Sequence, residues 1–284
     1  RLDRDLGRLC EQAGEGARVL VMSDHGMGRA SRFVVLNNLL LETGFLRLKD
    51  DPMTRLKAFA FRRGLTLRNV HRLADRLGMA KHAEYKNVYS LDPILKKLFL
   101  SFDNVDWGRT RAYSFGRHYG SVFLNVRGRE PLGCVDRGVD YERTRDELIE
   151  VVSSYVDPDL GRPLISRCLK GEEVYHGGRV DEAPDVVLLP MDESDIFYGL
   201  SDFGSNRVWD STYRYSGMHR DHGLVIATGP GVRPEYTVCG AEIVDLAPTC
   251  LHWLGLDVPG DMDGHPLEDA FADEYRRSDP IRVT

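Results

Sequence analysis

The chain has no apolar run near the ~20 residues that a membrane-spanning helix needs, so no membrane segment is expected. No signal peptide is visible either, although the chain opens on Arg1 in what reads as mid-helix. Its five cysteines, Cys10, Cys134, Cys168, Cys239 and Cys250, lie far apart with no CxxC pair. Their odd number fits a reducing compartment better than a disulfide framework, and the expected location is the cytoplasm. Basic excess is lacking too: 38 Lys and Arg stand against 44 Asp and Glu, for a net charge of −6. Nucleic acid is therefore not an expected partner. There is no G-x-S-x-G elbow, no P-loop, no internal repeat and no low-complexity linker.

What is present is an ordinary globular composition, 42% hydrophobic and 29% charged over 284 residues, enough for roughly two domains or one large one. Leu2, Leu6 and Leu9 recur at helical spacing, and a glycine-rich turn then leads to the apolar run VLVM at 19–22. Two further runs, PDVVLLP at 184–190 and GLVIATG at 223–229, have the same continuous apolar character. That character predicts strands buried on both faces, as in a parallel sheet. Helices are expected at 31–43, at 141–155 and at 242–254, the last with Pro248 in its first turn and Gly255 as its stop. Strands alternating with helices predict a doubly wound α/β core.

The middle of the chain differs. Residues 52–97 read as helical and basic, with Arg55, Arg62, Arg63, Arg68, Arg72 and Arg76 beside an apolar stripe of Val70, Leu73 and Leu77. A packed helical cap with a solvated outer face is the expectation there. RTRAYSFGRHYGSVFLNV at 109–126 reads as two strands around a turn marked by Gly116 and Gly120. The organisation this suggests is a first part of the core at 1–50, an inserted cap at 51–180, and the rest of the core at 181–284.

Chemistry concentrates in two stretches. In VLVMSDHGMG at 19–28, Asp24 and His25 follow an apolar strand, where open α/β sheets bind ligands. A carboxylate and an imidazole suit zinc and similar divalent cations, and Gly26 and Gly28 allow a tight turn beside them. Taken alone, the pair equally fits a capping aspartate beside a surface histidine. In SGMHRDHGLVIATGPG at 216–231, His219 and His222 stand before a core strand instead of after one. His71, His82, His176, His252 and His265 are isolated and read as structural.

SDHGM, SGMHRDHGLVIATGPGV and EIVDLAPTCLHWLGLDVPGDMDGHPL together resemble the C-terminal half of the type I phosphodiesterase and nucleotide pyrophosphatase family, within the alkaline phosphatase superfamily. DWGRTRAYSFGRHYGSVFLNVRGREPLGCV is similar to an insertion in its bacterial and archaeal members. The resemblance implies an alkaline-phosphatase-like α/β core, here without its N-terminal strands and carrying an inserted helical and α+β cap. It implies hydrolysis of phosphodiester or pyrophosphate bonds in a small phosphoester or nucleotide. Two divalent metal ions are implied, zinc foremost, with manganese or magnesium as alternatives. Asp24 and His25 would ligate one and His219 the other, with His222 behind it. Tyr113, Arg117 and His118 of the insertion are candidate substrate contacts, although tyrosines that merely pack the hairpin fit as well.

The family's nucleophile and remaining ligands belong to a segment expected upstream of residue 1. The chain then reads as a C-terminal fragment, expected to bind zinc weakly and to be inactive alone. Other readings are a phosphomutase, phosphonate hydrolase or sulfatase of the same superfamily, and a pseudoenzyme or interaction module. GMGRAS at 26–31 only partly matches a dinucleotide-binding loop, since its sixth residue is Ser31. Asp185 reads as a strand-entry residue or a site contact. Asp245 reads as the cap of the last helix, and Asp261 and Asp263 as a turn. The sequence leaves the oligomeric state open.

Overall fold

The structure, a computed structural model, describes residues 1–77, 97–199, 203–212 and 216–284, with residues 117 and 118 described by their backbone alone. The part of the basic helical reading that covers 78–96, His82 included, lies outside the described residues. Helices and strands are mixed and the strands form several sheets, as an α/β alkaline-phosphatase-like fold requires. By packing, the chain divides into two compact units. One joins Arg1–Met27 to His219–Thr284, and the other is Gly28–Met218.

The unit Gly28–Met218 holds the main apolar core. One four-stranded sheet runs in the order Ala112–Ser114, Gly120–Leu124, Val186–Pro190 and Ile165–Lys170, antiparallel throughout. The apolar run at 186–190 is therefore a strand, as its composition predicts, but its neighbours are antiparallel. Continuous burial reflects helix Val139–Ser153, whose Leu148 and Val152 are fully buried in the same core, and not a parallel setting. A second sheet pairs Arg32–Val35 in parallel with Asp195–Gly199, with antiparallel strands Trp209–Ser211 and Gly116–His118 outside them.

The helix expected over 31–43 is a strand followed by a helix. Phe33, Val34 and Val35 favour the pleated sheet, and only Leu36–Glu42 turns helical, burying Leu36, Leu39 and Leu40. Gly116 has φ 110, a left-handed turn geometry open to glycine. Gly120 is different, since a Cβ there would stand 2.4 Å from Leu188 Cβ. It is a close-approach position in the strand rather than a turn.

In the other unit, Val19–Met22 pairs antiparallel with Val225–Thr228, Leu20 opposite Ala227 and Val21 opposite Ile226. Neither strand is buried on both faces: Met22, Ile226 and Thr228 are exposed and the rest half-buried. The helix Leu2–Ala13 forms as its leucine spacing predicts, yet buries none of them. Arg18, entering the first strand, donates to the carbonyl oxygens of Pro230 and Trp253 and lies 4.8 Å from the Tyr275 ring centre. One guanidinium thus ties the strand to the last helices.

The helix expected at 242–254 is Leu246–Trp253, preceded by a single turn at Ile243–Asp245 and stopped at Gly255 with φ 72, and a short helix Asp273–Ser278 follows it. Asp245 does not cap Leu246–Trp253 in the expected way. Its carboxylate instead accepts from the Glu242 and His265 N–H groups, and its carbonyl accepts from the Thr249 hydroxyl.

Candidate metal centre

Asp24 and His25 sit where the strand Val19–Met22 ends, and both belong to the same compact unit as His219 and His222. His25 Nδ1 lies 2.7 Å from the Gly26 carbonyl oxygen. A carbonyl can only accept, so Nδ1 carries a proton, and in the neutral ring Nε2 is the nitrogen left to bind a cation. That pattern, an imidazole donating its other N–H to a backbone carbonyl, is how metal-bound histidines are oriented.

Nε2 stands 3.5 Å from Asp24 Oδ1. Two ligands of a tetrahedral ion with bonds of about 2.0–2.1 Å lie roughly 3.3–3.4 Å apart, so this separation suits a shared cation. The Asp24 side chain is 77% exposed and that of His25 33%, which leaves the pair open to solvent and solutes.

His219, exposed on the strand Gly217–Arg220, packs its ring against that of His25 with centres 3.8 Å apart. The structure therefore brings Asp24, His25 and His219 together. Among the described residues no three His, Cys, Asp or Glu side chains converge as a complete metal site. The three residues fit a divalent cation by donor chemistry, and Asp24 with His25 also by spacing.

Two positions hold these loops against each other: Ser23, which the sequence does not single out, and Gly26, which the sequence reads only as a turn glycine. Ser23 N–H donates to the Leu224 carbonyl at 3.0 Å, and Ser23 Oγ accepts the Leu224 N–H at 2.9 Å. A Cβ on Gly26 would stand 2.0 Å from the His222 carbonyl oxygen. Gly26 is thus needed for close backbone approach and not for a positive φ. His222 meets the turn through its backbone carbonyl, while the residue itself is exposed.

This gives a first testable result. Gly26→Ala should push the 221–223 loop away and cost about 1–3 kcal/mol in urea denaturation. An unchanged midpoint would show that the loop gives way freely.

The insertion residues behave differently. Tyr113, in the unit Gly28–Met218, stacks on Phe123 at 5.6 Å and meets Trp107 edge-on at 5.5 Å. Burial above all pushes its phenol up to about 12. Its ring packs the sheet. The backbone at 117 and 118 pairs with Tyr198 and Phe197. Asp185 is buried in an ion-pair cluster with Arg129 and Tyr141.

No curated protein and no solved structure matches the chain. A family model does, the one described as type I phosphodiesterase / nucleotide pyrophosphatase, over residues 1–223 of 284. That span includes the turn with Asp24 and His25 and the loop with His219 and His222. The chain belongs to the type I phosphodiesterase and nucleotide pyrophosphatase family.

Proposed function

We propose that this protein is a metal-dependent hydrolase of phosphodiester or pyrophosphate bonds in small phosphoesters or nucleotides, with Asp24, His25 and His219 as metal ligands. Family membership supports the phosphodiesterase class, and members are generally metal-dependent. The observation that carries the metal reading is the His25 ring, held by the Gly26 carbonyl so that Nε2 faces Asp24. When bound, divalent cations, zinc foremost, polarise a phosphoryl oxygen and lower the pKa of a coordinated group. Asp24 would supply the anionic oxygen, and His25 and His219 the neutral nitrogen donors. Ser23 and Gly26 would keep the two loops in register. In this reading 51–180 is a cap inserted between the core segments 1–50 and 181–284.

No described helix is long and apolar enough to cross a membrane. The five free cysteines are stable in a reducing cytoplasm, where we place the protein.

The test uses the protein as its cell makes it and the p-nitrophenyl ester of thymidine 5′-monophosphate. Hydrolysis should vanish after chelation and return with zinc, more weakly with manganese or magnesium. Turnover that survives chelation, or none with any of the three metals, overturns the reading.

A further inference from the structure

The helix Leu67–Arg76 is oriented against its own amphipathic pattern. The sequence places Val70, Leu73 and Leu77 on one stripe, and a helix normally turns such a stripe to the core. Here the stripe faces out, with Val70 42%, Leu73 58% and Leu77 62% exposed. The core side is held instead by arginine. Arg68 and Arg72, one turn apart, both pair with Asp210, whose side chain is 6% exposed, and Arg72 also donates to Ser211 Oγ. Arg68 further lies 5.3 Å from the Phe33 ring centre.

The neighbouring helix Pro52–Arg62 buries Thr54 and Phe61 but leaves a second apolar row outside. Its Met53, Leu56 and Phe59 are exposed at three-residue spacing, and Leu65 in the connection is exposed as well. Seven large apolar side chains therefore face solvent within 25 residues. Single exposed leucines are common, but a concentration of this kind marks a contact surface.

Charge indicates the partner. Residues 52–77 contain seven Arg or Lys and one Asp, in a chain whose net charge is −6. With Arg68 and Arg72 turned inward, Arg62, Arg63 and Arg76 are exposed beside the apolar side chains, Arg63 lying over the Phe59 ring at 4.9 Å. Aliphatic and aromatic side chains bordered by guanidinium groups match the boundary between acyl chains and anionic headgroups.

We propose that the helices Pro52–Arg62 and Leu67–Arg76 form a docking face for an anionic lipid surface. No described helix is long and apolar enough to cross a membrane, and binding through this face is peripheral and weakens with salt.

The test is co-sedimentation with vesicles of phosphatidylcholine containing phosphatidylserine, against phosphatidylcholine alone. The protein should bind the anionic vesicles, and bind them less at raised salt. Leu56→Glu/Leu73→Glu should lower the bound fraction at least tenfold while leaving the thermal midpoint and circular dichroism unchanged. Arg62→Glu/Arg76→Glu should lower it several-fold with the fold intact. No binding to anionic vesicles, or equal binding to neutral ones, overturns the proposal. So does a clear fall in thermal midpoint in the leucine variant, which would mean that the chain itself covers this face. Light scattering gives the remaining outcome: a dimer that the leucine variant abolishes would assign the face to a second copy instead.

Discussion

Replacing Asp185 with alanine should remove about 2–4 kcal/mol of stability from the unit Gly28–Met218. Its carboxylate, 3% exposed, joins three elements. Oδ2 accepts the Leu124 N–H at 2.6 Å and one Arg129 N–H at 2.6 Å, while Oδ1 accepts the other Arg129 N–H at 3.0 Å and the Tyr141 hydroxyl at 2.6 Å. Those partners come from the strand Gly120–Leu124, the loop after it and the helix Val139–Ser153. Burial above all raises the Tyr141 phenol, and its bond to Asp185 raises it further.

Alanine would leave the largely buried Arg129 guanidinium with Glu130 and the Leu124 carbonyl as its partners and would strand the Leu124 N–H and the Tyr141 hydroxyl. A buried donor left without its acceptor costs about 1–3 kcal/mol. An asparagine side chain keeps one acceptor and the shape, so Asp185→Asn should lose less, about 1.5–3 kcal/mol. Urea denaturation followed by tryptophan fluorescence measures both. A loss under about 1 kcal/mol for alanine would show that water replaces the carboxylate, and the cluster would then be peripheral to stability.

The position of Asp185 also shows what a sequence can and cannot carry. Strands at 19–22, 186–190 and 225–228 are legible because each is a continuous apolar run bounded by glycine, proline or a polar turn. Their antiparallel pairing is not legible, because partners such as Val19 and Thr228 are joined only by the fold. The same holds for the helix Leu67–Arg76. Its stripe can be counted along the chain, but the side that faces inward is fixed by Asp210, 138 residues from Arg72. The run RFVVLNNLL defeats a helix reading over 31–43 for a local reason, since three apolar residues that favour strand precede the leucines.

At the turn that carries Asp24 and His25 the candidate donors are legible and their support is not. Asp24 and His25 are adjacent in sequence, and His219 and His222 stand three residues apart in the second stretch. The bond that fixes the His25 tautomer depends on how the Gly26 peptide is turned. The need for glycine there comes from the His222 backbone, 196 positions away. A glycine after Asp-His is the one available signal, and it reads as turn chemistry until the second loop is placed against it.

His219→Ala and His222→Ala should separate two histidines that the sequence leaves side by side. The His219 ring centre is 3.8 Å from that of His25. His222 approaches the turn through its carbonyl oxygen, which alanine retains. If His219 is a metal ligand, its loss forfeits much of the charge stabilisation a bound cation gives, which is worth several kcal/mol in the transition state. At about 1.36 kcal/mol per decade that is roughly a 10³-fold fall in kcat/KM toward a phosphodiester in the protein as its cell makes it. His222→Ala should stay within about 10–100-fold, the range for a residue that supports a ligand from behind. Metal content by mass spectrometry supplies the control, with zinc falling in His219→Ala and held in His222→Ala. The reverse order in both readouts would move the ligand to His222 and make the contact between the His25 and His219 rings a packing feature. Equal, small effects from both would remove the second loop from the metal site and leave Asp24 and His25 as its only donors in this region.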